Sequence, residues 1–188
     1  MPLDNIYNYF RSYDKTSYAV FAQQGAEPNE TDIAGFESRI GFRLPDEFRE
    51  FAVHPLGGLY MEVKAELWPR PQAGQVGPFW TFLYGMMVYS LSKKAPDWLQ
   101  MSHGWTLMVQ DGYPRLVPFL KIMGDADPYC FTPDQRIVIW RHETPEQPEP
   151  VSESFSEVVM REIRALEERK ARKLRGEDNE PFKRPNPP

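Results

Sequence analysis

The side chains able to do chemistry are few, and their spacing does not assemble a reactive site. Three histidines, His54, His103 and His142, lie far apart in the chain. No two stand four apart as a helical zinc pair would require. The single cysteine, Cys130, can neither close an internal disulfide nor complete a thiolate metal site. It falls between Tyr129 and Phe131 in an apolar run, the setting of a buried, inert thiol. His54 precedes Pro55 at the end of an expected helix, where a structural or dipole role is natural. Asp125 and Asp127, with Asp111 and Asp134 nearby, do not follow the ligand order of a calcium loop, and solvated turns capped by Asp side chains account for them. Neither a Gly-x-Ser-x-Gly elbow nor a phosphate-binding glycine loop occurs. The expectation is a protein without catalytic residues, cofactor or metal.

Contact residues are then the remaining candidates. Trp68 and Arg70, set among Pro69 and Pro71, have the composition of an interface anchor on a loop or sheet edge. Packing of Trp68 over the sheet edge is the rival reading. Asp125 and Asp127 join them as candidate partner contacts on an acidic turn. The basic run over 169–175 adjoins Glu167 and Glu168, lacks interleaved aromatics and belongs to an acidic chain, so it reads as a solvated helix end and not as a nucleic-acid surface.

The elements that must position these residues belong to a 188-residue chain, a length that suits one domain with appendages. Hydrophobic residues make up 41%, enough for a substantial core. The net charge of −5 argues against a generally basic nucleic-acid binder. It is uneven: residues 161–184 hold nine Lys/Arg against six Asp/Glu, so the remainder carries 13 − 21 = −8. Proline, 19 of 188, is about twice its usual share, and the excess sits partly between 145 and 150 and in the last eight residues, read as linker and tail. No signal peptide and no membrane-length apolar stretch is visible, and one lone cysteine suits a reducing compartment. The location expected is the cytoplasm.

Periodicity predicts a helix over the first twenty residues, with Ile6, Tyr9, Phe10 and Tyr13 on one face. A second helix starts at Thr31, carries Ile33, Phe36 and Ile40 on one face, and ends at Gly41. A third follows Pro45 and turns Phe48 and Phe51 inward. Strands are predicted over 59–63, 79–90, 105–110, 116–123, 129–132 and 136–142, with a helical turn at Asp97. A final helix opens with a capping box at Ser154 and Glu157 and carries an apolar stripe of Phe155, Val158, Val159, Ile163 and Leu166. Its continuation past Leu166 reads as solvated, ending at Gly176, with 177–188 as a disordered tail. Helices, then strands, then a helix describe an α+β domain.

Three stretches resemble the SUKH superfamily, which holds fungal cell-wall glucan-synthesis regulators and bacterial immunity proteins of polymorphic toxin systems. They are TDIAGFESRIGFRLPDEFREFAVHPLGG at 31–58, LVPFLKIMGDADPYCFTPDQRIVIWRH at 116–142, and the closing helix from Ser154-Phe155. The intervening stretch around 66–101 looks like one bacterial branch of these proteins. The resemblance spans 31–166, after an N-terminal helix and linker over 1–30, with 1–176 expected to fold as one unit. It implies an α+β fold with a mainly antiparallel mixed sheet and helices packed against it. The activity it implies is stoichiometric: binding and neutralising a cognate toxin domain in the cytoplasm, without enzymatic chemistry. A regulatory protein-interaction module unrelated to any toxin is the alternative. The partner expected is a protein, with neither nucleic acid nor membrane, and the chain itself a monomer or weak homodimer.

Overall fold

A computed structural model describes residues 3–72 and 79–177. The expected tail, past Glu177, lies outside the described residues. The chain forms α1 (Asp4–Ser12), β1 (Tyr18–Phe21), α2 (Glu30–Ile40), α3 (Asp46–Ala52), β2 (Tyr60–Val63), β3 (Gly85–Val88), α4 (Met101–Gln110), β4 (Val117–Ile122), β5 (Tyr129–Phe131), β6 (Ile137–Ile139), β7 (Glu149–Val151) and α5 (Phe155–Arg175). Single 3₁₀ turns occur at Phe79–Phe82 and Asp97–Leu99. The seven strands lie in chain order, and all six pairings are antiparallel. This is the α+β class that the sequence indicates.

Alternation along the strands assigns the two faces. Met61 pairs with Met86, and Met86 with Ile122, so these three share one face. That face is covered by α1, α3 and α5, and its centre is aromatic: Phe119 stacks on Phe131 at 4.2 Å, and Phe155 of α5 meets Phe48, Phe51 and Phe119. The opposite face carries a smaller cluster of Met108, Leu116, Cys130 and Val138 beneath α4. Cys130 is buried there, and burial pushes its thiol pKa up, so it stays protonated and unreactive.

Capping motifs define both ends of α2 and of α5. Asn29, not Thr31, opens α2, through a capping box with Asp32. Gly41 closes it at φ 81°, the left-handed conformation expected of it. Ser154 and Glu157 form the capping box expected of α5, and Gly176 ends that helix.

Four local expectations are corrected. The first helix stops at Ser12, because the Asp14 carboxylate accepts hydrogen bonds from the backbone N–H groups of Thr16 and Ser17 and turns the chain into β1. The stretch 79–90 is a strand only over Gly85–Val88. Before it, the Trp68 indole donates to the Thr81 carbonyl and Arg169 to that of Leu83, taking acceptors that a ladder would use. The stretch 105–110 belongs to α4: Met101, Gly104 and Met108 are its buried residues and set a helical period begun earlier in the chain. Gly104 permits the close approach, since a Cβ there would lie 3.0 Å from the Tyr89 ring and 3.1 Å from Pro118. Finally, part of the proline-rich stretch before 151 is β7, an edge strand in which Pro150 lies opposite Val138.

The basic end of α5 is likewise no solvated extension. Lys170 donates to Ser17 Oγ at 3.1 Å and stands 4.7 Å above the Tyr18 ring, while Lys173 lies over the Trp68 ring. Tyr9 of α1 donates to Glu167 at 2.9 Å. The polar face of the helix is thus the seam that holds the N-terminal segment.

Candidate protein-interaction surface

Because α4 stands over β4, the same face of β1 and β2 remains open at the other end of the sheet. Its residues follow from strand alternation: Met61 and Val63 point into the core, so Tyr60 and Glu62 point out. Phe21 of β1 lies directly opposite Tyr60 and is 44% exposed. Trp98, on the turn before α4, is 48% exposed and meets the Tyr60 ring edge-on at 5.3 Å. Tyr60 and Trp98 are in ring contact and Phe21 stands across the strand pair from Tyr60, so the three side chains share one aromatic surface.

A polar network holds one side of the patch rigid. The Tyr60 hydroxyl donates to Glu62 Oε2 at 2.6 Å, and Arg70 Nη2 lies 3.0 Å from the same oxygen. Arg70 also donates to the carbonyls of Trp68 and Val63, and its guanidinium lies 3.7 Å from the centre of the Tyr84 ring. Burial, reinforced by the bond to Glu62, raises the Tyr60 phenol well above its ordinary value, so it remains a donor. The arrangement can bind and orient a partner's side chains. It contains no nucleophile paired with a base.

The candidates from sequence are distributed unevenly over this geometry. Arg70 belongs to the patch. Trp68 is 4% exposed, with its indole committed to Thr81 and its ring beneath Lys173, so packing, the rival reading, describes its position. Asp125 and Asp127 lie on the β4–β5 loop, apart from β2 in the strand order. The Asp125 carboxylate accepts the N–H of Asp127 in an Asx turn, as expected. Asp127 is buried and bonded to Arg141 Nη1 at 3.1 Å and to both the backbone N–H and ring Nδ1 of His142. Phe21, Tyr60 and Trp98 were not singled out from sequence. The available signal was the alternation of Tyr60 and Glu62 with Met61 and Val63, which marks a strand with one open face.

His142 offers a pH-dependent readout of this second cluster. Its hydrogen bond to Asp127 raises its pKa above the ordinary 6.5, aided by the nearby charges of Glu143 and Asp125. A raised folded-state value means that the pair stabilises fully below about pH 6.5 and contributes nothing once the pH has risen through the folded value. The ring is half-exposed, so solvent keeps the effect small. Denaturant unfolding across roughly pH 6 to 8 should show His142→Asn losing stability relative to the parent at the acid end only. A difference constant with pH would refute this assignment.

Among the described residues, no group of three His, Cys, Asp or Glu could hold a metal ion, and no helix is long and apolar enough to cross a membrane. An antiparallel meander between helices thus presents an exposed aromatic patch, a surface of the kind that contacts other proteins. The family model for the SMI1/KNR4 family (SUKH-1) matches residues 27–161, and the chain belongs to that family. A comparison with curated proteins finds no match. Family membership carries an immunity or regulatory function exerted through protein–protein interaction.

Proposed function

We propose that this chain is a non-enzymatic immunity protein that binds and neutralises a cognate toxin domain in the cytoplasm, and that the toxin seats on the patch of Phe21, Tyr60 and Trp98 beside Arg70. The carrying observation is the juxtaposition of two half-exposed aromatic rings with an arginine already ordered by a carboxylate, two carbonyls and an aromatic face. Rings that lose little conformational freedom on binding, next to a pre-organised arginine, have the composition of a binding hot spot. The acidic balance of the chain supports a basic partner such as a nuclease domain, because opposite net charge speeds encounter.

The test is association with a toxin domain encoded directly upstream, measured for the parent, Trp98→Ala and Phe21→Ser. Each substitution should raise Kd by about 30-fold or more, mainly through faster dissociation. Added salt should slow association of parent and variants alike. Co-expression should protect cells from the toxin with the parent chain and fail with the double variant. Full affinity in the double variant would move the interface elsewhere. A parent chain that binds no such toxin would favour the regulatory alternative.

A further inference from the structure

α4 is unlike the other helices of this protein. Its sequence, MSHGWTLMVQ, contains no Asp, Glu, Lys or Arg, whereas α1, α2, α3 and α5 all carry charges of both signs. Only Met101, Gly104 and Met108 are turned fully inward, onto Tyr89, Pro118 and the cluster around Cys130. The rest of the circumference, from Trp105 through Val109, Ser102, Thr106 and His103 to Leu107, is uncharged and solvent-facing in whole or part. Leu107 is 46% and Val109 41% exposed. Surface helices ordinarily turn charged residues to water, and depletion of charge with retention of apolar side chains marks the centre of an interface.

The charges at the two ends of α4 identify the occupant. Beside its N-terminal half stand Arg39, whose guanidinium lies 5.6 Å from the Trp105 ring centre, and Asp97, on the preceding turn. At its C-terminal end stand Asp111, which caps it, and Arg115, just beyond. Among the described residues none of these four side chains has an ion-pair partner. Each end thus carries one unpaired cation and one unpaired acid. A basic partner would meet Arg39 and Arg115 unfavourably. A second copy of the chain, related by a two-fold axis across α4, sets the N-terminal end of one helix against the C-terminal end of the other. Arg39 then faces Asp111 of the second copy and Asp97 faces its Arg115, each pair occurring twice. The charge-free centre also lets two chains of net charge −5 approach without like charges in contact.

We infer that this protein self-associates as a two-fold dimer through the exposed face of α4, with antiparallel helices and Arg39–Asp111 pairs at the rim. The inference does not depend on the proposed toxin-binding patch, which lies on β1, β2 and the turn at Trp98.

Sedimentation velocity of the full chain over a wide concentration range tests it. The parent should pass from monomer to dimer mass as concentration rises. Leu107→Glu should weaken the dimer by about 30-fold or more. Arg39→Asp should weaken it too, and the swap Arg39→Asp with Asp111→Arg should restore it, a recovery that a misfolded protein cannot produce. A parent that stays monomeric at its solubility limit overturns the inference. So does a dimer indifferent to Leu107→Glu, or one that the charge swap fails to rescue. Toxin affinity measured on monomer, unchanged in Leu107→Glu, keeps this outcome separate from that of the patch.

Discussion

Phe48→Ala should lower the free energy of unfolding by about 3–5 kcal/mol, the range for deleting a large aromatic from a packed core. Phe48 is fully buried where three elements meet: its ring lies 5.2 Å from that of Phe131 on β5 and 5.4 Å from that of Phe155 on α5. Phe155 in turn contacts Phe51 and Phe119, so the space left by the ring is bordered by side chains already fixed by one another. Such a site collapses poorly, and the cost includes an unfilled cavity as well as lost transfer energy. Denaturant unfolding of the variant, with Val53→Ala on the exposed end of α3 as control, makes the comparison. The control should lie within about 0.5 kcal/mol of the parent. A Phe48→Ala chain with the parent's midpoint would show that α3 does not anchor the core.

The second large effect is expected from Arg161→Met. Arg161 is nearly buried between Glu153, with which it forms an ion pair, and Glu162, whose Oε1 is 3.8 Å from its Nε. Its Nη2 donates to the Tyr129 hydroxyl at 2.8 Å, and that hydroxyl donates to Glu162 Oε1 at 2.5 Å. Glu162 is wholly buried, and its other oxygen has no hydrogen-bond partner. Methionine keeps the apolar stem but strands the Glu162 carboxylate without its nearest cation. Breaking a buried pair from one side costs about 3–5 kcal/mol, because the remaining charge is uncompensated. The double variant Arg161→Met with Glu162→Leu removes that charge and should be more stable than the single variant. A double variant less stable than the single one would mean that Glu162 serves the core through its bond to Tyr129 more than it burdens it.

These two sites differ in how far they could be read from the chain. Phe48 and Phe51 announce themselves by helical spacing after Pro45, and the capping box at Ser154 and Glu157 announces α5. Glu162 falls within the apolar stripe of that helix, and periodicity alone gives no reason for a carboxylate there. The reason is Tyr129, distant in sequence and brought beneath α5 by the sheet. The same holds on the surface. Arg70 could be singled out from its composition with Trp68, but which of the two faces solvent depends on Thr81 and Lys173 lying against the indole.

Local pattern in the chain reaches as far as class: the helices marked by caps and period, the α+β class, the likeness to one family, and a supply of reactive side chains too sparse for a catalytic motif. Tertiary structure decided the short edge strands β1 and β7, the helical state of Trp105–Gln110, the docking of the basic end of α5, and the assembly of Phe21, Tyr60 and Trp98 into one surface. Strands of four and three residues carry almost no periodic signal of their own and are stabilised by pairing with β2 and β6. Once β1 is paired, Ser17 and Tyr18 stand where Lys170 can reach them, so a helix end that looks solvated in isolation acquires partners. Contacts between residues more than 150 positions apart, such as Lys170 with Ser17, are set by the sheet that brings them together and leave no pattern in either segment alone.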